Sequence, residues 1–179
     1  LSERLDVRFA ALCHDLGKGE TPTEHWPSHH GHEMLGLPLI ETICQRLRVP
    51  NDCKELALLA SQYHQQIHKA LELRSVTVQK LFDGIDLWRR PERLELLLTC
   101  CIADLRGRTG FEQAEYLQAD YLQALAGAAL QADACRQAFG QAQHVAFGDG
   151  GAHDQGSRVG NFRYRLAHED LAADLVAFT

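Results

Sequence analysis

Apolar residues recur at three- and four-residue spacing along most of the chain, in runs cut by proline and glycine. This pattern restricts the fold to packed helices. Leu5, Phe9, Leu12 and Leu16 form the first stripe, with Ser2 available as a cap. From about Ser28, Leu35, Leu39, Ile43 and Leu47 form a second, which Pro38 should kink or split after its first turn. Pro50-Asn51 restarts the chain, and Leu56, Leu59, Tyr63 and Ile67 predict a third helix to about Ala70. Ser75 opens a shorter helix carrying Val78, Leu81, Phe82 and Ile85. Pro91 suits the first turn of the next, whose stripe is Leu94, Leu97, Leu98, Cys101 and Leu105. Phe111 to about Gln143 lacks proline and predicts one long helix packing through Leu117, Tyr121, Leu125 and Ala128. Leu and Ala outnumber Val and Ile, which adds to an all-α expectation.

A chain of 179 residues can bury one sizeable core. The composition places a helical domain at 1–141 and a glycine-rich linker with a short tail at 142–179, where Leu166 to Phe178 can form an amphipathic helix. The only methionine is Met34, so Leu1 is expected to fall inside a longer protein. A formal charge of -6 argues against nonspecific nucleic-acid binding by the whole surface. It leaves room for a local patch, and Arg74, Arg89, Arg90 and Arg93 read equally as an RNA-tracking group or a solvated helix face. Six cysteines without a CxxC pair read as buried thiols in a reducing compartment. No apolar run reaches membrane-spanning length and no signal peptide opens the chain, so a soluble cytoplasmic protein with no membrane partner is expected.

The chemistry gathers around Cys13-His14-Asp15-Leu16-Gly17-Lys18. Neighbouring side chains on a helix point about 100° apart, so His14 and Asp15 can share an ion only near a helix end, which Gly17 and Gly19 provide. An imidazole with a carboxylate suits Mn, Fe, Co, Ni or Zn better than calcium. Alone, the dipeptide fits a surface hydrogen-bonded pair better. Its company changes the reading. His32 falls near the start of the second helix, and His64 and His68 share a face of the third. Asp104 is an acid within an apolar helix, so it must be paired, ligating, or turned to a cavity. His25, His29, His30, His144, His153 and His168 read as surface residues, and Trp26 as a lid, core or base-stacking residue.

His14-Asp15-Leu16-Gly17-Lys18, His29-His30-Gly31-His32-Glu33, Tyr63-His64 and Ala103-Asp104-Leu105-Arg106-Gly107-Arg108-Thr109-Gly110 together resemble the HD-type phosphohydrolase domain. More narrowly, they resemble the carboxyl-terminal part of bacterial multifunctional CCA-adding proteins, the tRNA nucleotidyltransferases. The resemblance implies an all-helical HD-domain bundle that hydrolyses 2',3'-cyclic phosphates, 2'-nucleotides and phosphomonoesters with a divalent metal such as nickel, magnesium or manganese. It implies tRNA or nucleotide phosphoesters as partners, repair or processing of tRNA 3' ends as the purpose, and a homodimer as one possible assembly.

The resemblance carries metal ligation to His14, Asp15 and Asp104, and catalytic roles to Asp15, His32 and His64, where a histidine binds a second ion or protonates the leaving oxygen. Lys18, Arg106 and Arg108 are placed to meet phosphate oxygens. The family's earlier ligand histidine and its nucleotidyltransferase head are not in this sequence, so the site is expected to lack one ligand unless a tail histidine replaces it. This leaves two further readings: a catalytically idle helical module for tRNA contact or dimerisation, and a nucleotide-sensing HD domain.

Overall fold

The structure, a computed structural model, describes residues 2–146. The described residues contain six α-helices and no strand: α1 (Leu5–Cys13), α2 (His32–Leu47), α3 (Asn51–His68), α4 (Ser75–Gly84), α5 (Glu92–Arg106) and α6 (Leu117–Ala146). The fold is all-α, as the helical periodicity requires. Two units are distinguished, Leu1–Arg136 and Gln137–Thr179. The expectations for 147–179, including the helix at Leu166 to Phe178, lie outside the described residues.

The core draws Val7 and Ala10 from α1, Ile40 from α2 and Ala57, Ala60 and Ile67 from α3. Leu81 and Phe82 of α4, Leu97 and Leu98 of α5 and Leu122 of α6 complete it. Burying each of the large side chains contributes roughly 1.5–3 kcal/mol. Helix α3 packs against α1, α2 and α5, so its inward face is shared by three neighbours.

Three of the expected stripes are displaced around their helices. In α1 the buried residues are Val7, Ala10 and Cys13, while Leu5 and Leu12 are 67% and 76% exposed. In α2 they are His32, Gly36, Ile40 and Cys44, one position round from the expected Leu35 to Leu47 stripe. In α6 Ala119, Leu122 and Ala126 are buried and Leu117 is exposed. The buried faces of α1, α2 and α6 all include small residues, which let helix axes approach closely, and the close contact outweighs the burial of leucines elsewhere on these helices. The α4 stripe of Val78, Leu81, Phe82 and Ile85 is buried as expected. So are five of the six cysteines, Cys135 being exposed.

Helix α6 begins at Leu117, later than the expected Phe111. Pro38 neither ends nor splits α2, which runs unbroken from His32 to Leu47. It lies on the exposed side, where the carbonyl it leaves without a helical donor belongs to the solvent-facing Met34. Helix α1 stops at Cys13, three residues before the end of its expected stripe, and the chain turns through a 3-10 segment, Leu16–Glu20.

That turn is pressed onto the start of α2. A Cβ on Gly17 would overlap the His32 carbonyl oxygen and lie 2.5 Å from the Gly36 amide nitrogen. A Cβ on Gly36 would lie 2.6 Å from Ser61 Oγ. Helix α2 is entered through Gly31, whose φ of 81° is the left-handed conformation that glycine adopts without strain. Gly17→Ala should destabilise the chain by about 1–3 kcal/mol in denaturant titration, because the obstructing atoms are backbone. Gly19→Ala, with nothing within 4 Å of the added carbon, should change little. Equal midpoints for the two variants would show that the turn yields freely.

Candidate metal centre

The end of α1 and the turn after it bring His14 and Asp15 to the inner faces of α2, α3 and α5. His14 closes α1 by donating its backbone N–H to the Ala10 carbonyl. His14 Nε2 lies 3.3 Å from Asp15 Oδ2 and 3.7 Å from Asp104 Oδ1 on α5. Asp15 Oδ1 lies 3.1 Å from His32 Nε2 on α2 and 3.6 Å from His64 Nε2 on α3. His32 and His64 are buried, and their Nε2 atoms are 3.1 Å apart. Five expected residues therefore meet, drawn from three helices and from the cap of α1 and the turn after it.

The ring orientations are fixed by the backbone. His14 Nδ1 faces the Ala11 carbonyl at 2.7 Å and His32 Nδ1 faces the His29 carbonyl at 2.8 Å. His64 Nδ1 faces the carbonyls of Ala60 and Ser61 at 2.9 and 3.0 Å. A carbonyl can only accept, so each Nδ1 carries the hydrogen and each neutral ring turns its Nε2 lone pair into the site. Asp15 Oδ1 is buried there without a hydrogen-bond partner among the described residues. A hydrogen bond between His32 and His64 requires a second proton on one ring, whereas a divalent cation satisfies the lone pairs and the orphaned oxygen together. His14, Asp15 and His64 each offer a ligand atom within 4.8 Å of the others. The residues present fit a divalent metal.

Charge is balanced from the rim. Lys18 Nζ donates to Asp15 Oδ2 at 2.6 Å and Arg108 to Asp104 Oδ2 at 2.7 Å. Burial works to raise the Asp15 pKa, but His14 and Lys18 outweigh it and hold the carboxyl well below the usual range. His68 does most to lower that of Asp104, to about 2, against burial and with help from His14 and Arg108. His64 is pushed down to about 4, by burial first and by neighbouring His14 second. In His14 burial is outweighed by Asp15, the Ala11 carbonyl and Asp104, and its pKa is raised.

A groove of about 490 Å³ opens beside His14 and Asp104, walled by Val7, Ala11 and Leu12 and edged by Arg8 and Arg108. Arg106 is turned elsewhere, its Nε donating to the Ala114 carbonyl at 3.3 Å. Arg90 and Arg93 both hold Glu55, at 2.9 and 2.6 Å, and Arg89 lies 3.7 Å from Asp86, so three of the expected arginine group are engaged in ion pairs. Trp26 is 59% exposed, outside the core. His25 and His30 are exposed, as expected of surface residues, while His29 is half-buried with Nδ1 2.6 Å from Thr21 Oγ1. His68 joins the site, with Nε2 3.2 Å from Asp104 Oδ2 and Nδ1 2.8 Å from the Tyr116 hydroxyl. Tyr116 was not readable as a site residue, since it lies in a segment expected to be helical and follows no motif.

The depressed His64 pKa has a stability consequence. Its ring is neutral in the folded chain down to about 4, while an unfolded histidine takes up a proton near 6.5. The His64 contribution is full above 6.5 and is lost as pH falls to about 4, a change on the order of 3 kcal/mol. His14 acts in the opposite sense and at higher pH, since its raised pKa favours the folded state below 6.5 and loses that effect as pH rises through its folded value. Urea titrations of the metal-free chain should show falling stability between 6.5 and 4, and His64→Asn should flatten that limb. An unchanged slope in the variant would place the loss on other groups.

The chain matches the HD domain family over residues 1–105. It is 60% identical over 122 residues to a multifunctional CCA protein of Shewanella frigidimarina (strain NCIMB 400), an alignment covering 68% of this chain and 30% of that protein. The chain thus matches less than a third of that relative's length. No solved structure matches it. With the match extending over more than half of the sequence and including His14, Asp15, His32, His64 and Asp104, the chain belongs to the HD domain family.

Proposed function

We propose that this chain is a metal-dependent phosphoester hydrolase domain of a longer CCA-adding protein. It acts on 2',3'-cyclic phosphates, 2'-nucleotides or simple phosphomonoesters, and serves the repair or processing of tRNA 3' ends. The observation that carries the reading is the orphaned Asp15 Oδ1 facing the Nε2 atoms of His32 and His64, with His14 and Asp104 beside it. Membership of the HD domain family supports a metal-dependent phosphohydrolase module. The resemblance to a multifunctional CCA protein supports the choice of RNA ends as substrate.

In this reading His14, Asp15 and Asp104 are the principal ligands, and nickel is the favoured ion, with manganese or magnesium as alternatives. A divalent cation held there would lower the pKa of its bound water and offset charge on the phosphoryl oxygens. Water adds to phosphorus, the ester P–O bond breaks, and the leaving oxygen takes up a proton. In this reading His32 or His64, whose Nε2 lone pairs lie 3.1 Å apart, takes up the proton that the adding water releases and passes it to the leaving oxygen. Lys18 and Arg108 sit on the outer oxygens of the two carboxylates, where they can also meet phosphate oxygens. Arg106 steadies the turn through Ala114 in this arrangement.

Elemental analysis of the chain after separate addition of nickel, manganese and magnesium should find bound metal, and 2',3'-cyclic AMP should be hydrolysed by the loaded form. Asp15→Ala should lose both properties while keeping its helical circular dichroism. Hydrolysis unchanged by Asp15→Ala would remove this centre from the chemistry. Absence of both metal and turnover would favour an idle helical module.

A further inference from the structure

The four imidazoles around the centre are not alike. His14, His32 and His64 each give the Nδ1 hydrogen to a backbone carbonyl and present an Nε2 lone pair. The His68 ring meets no carbonyl among the described residues. Its Nδ1 faces the Tyr116 hydroxyl at 2.8 Å, a group that can donate as well as accept. Its Nε2 is buried without a hydrogen-bond partner among the described residues and lies 3.2 Å from Asp104 Oδ2, the oxygen that takes a bond from Arg108 at 2.7 Å.

An ionised carboxylate only accepts, so an Nε2 lone pair aimed at Asp104 Oδ2 would be repelled, whereas an Nε2–H is attracted. With hydrogen on Nε2, the neutral ring has its lone pair on Nδ1, where the Tyr116 O–H can donate. Tyr116 is buried, and burial together with Cys101 and Asp104 raises its pKa, so the hydroxyl keeps its proton. Oδ2 of Asp104 is thereby occupied by two cations or donors, while Oδ1 is left toward His14 Nε2 at 3.7 Å.

We propose that His68 is a positioning residue and not a ligand: Tyr116 holds it as the Nε2–H tautomer, and its hydrogen, with Arg108, fixes Asp104 so that Oδ1 faces the metal position. The inference rests on Asp104 being a ligand, but its first test is independent of hydrolysis. Long-range proton–nitrogen correlation spectra of the metal-free, nitrogen-15-labelled chain distinguish the two tautomers of each ring. His14, His32 and His64 should be Nδ1–H, and His68 Nε2–H. His68 in the Nδ1–H form would overturn the proposal, whether or not the chain hydrolyses anything.

Nickel titration of the same protein by calorimetry gives the second readout. His68→Leu should weaken nickel binding about 10- to 100-fold, the usual cost of losing an outer partner of a ligand. His68→Gln, whose side-chain amide nitrogen stands near the position of Nε2 and still donates, should stay within about threefold of the parent. Equal, severe loss in both variants would make His68 a ligand, and undiminished affinity in both would leave it no role at the centre. Either result overturns the assignment. If His68→Leu does not fold, the Gln variant and the tautomer spectra still decide.

Discussion

The close approach of two backbones, the turn after α1 and the first turns of α2, is the contact on which the rest of the centre depends. Gly17 lies where any side chain would strike the His32 carbonyl and the Gly36 amide, and Gly36 in turn leaves room for Ser61. Only at that spacing does Asp15, two residues before Gly17, bring one oxygen to 3.1 Å from His32 and 3.6 Å from His64. Packing and chemistry are therefore set by the same pair of glycines.

The centre concentrates two carboxylates and four imidazoles in a partly buried place, and such a group must be charge-balanced to persist. Lys18 and Arg108 supply balance without entering the middle, each taking the outer oxygen of one carboxylate. The carboxyl group of Asp15 is held low by His14 first and Lys18 second, that of Asp104 by His68 first with His14 and Arg108 adding to it, while His64, buried beside His14, is kept neutral. Negative oxygens and unprotonated nitrogens are the two donor types that a divalent ion of this class binds. The backbone carbonyls behind His14, His32 and His64 set the ring orientation.

Much of the site was legible because its chemistry is local. His14-Asp15 at a helix end, an acid within the apolar helix α5, and a histidine on α3 each raise a question of solvation, and the fold brings them together. Tyr116 and the role of His68 were not legible, since their pairing joins positions far apart in sequence through a segment that turns where a helix was expected. Arg106 was expected to meet phosphate oxygens because of its neighbours in the motif, yet its Nε turns to the Ala114 carbonyl while Arg108, beyond the end of α5, reaches Asp104.

Helical periodicity and its proline and glycine punctuation determined the class of fold and the order of the helices, because they act through backbone preferences that need no partner. They did not determine which face of α1, α2 or α6 is buried. Those helices carry apolar residues on more than one side, and the choice fell to the faces with Ala10, Gly36 and Ala119, where axes can come close. The sequence by itself named the chemical groups of the centre. Only the tertiary structure decided which nitrogen of each ring looks inward and which oxygen of each carboxylate is free, because those choices depend on carbonyls, cations and a tyrosine brought together by packing.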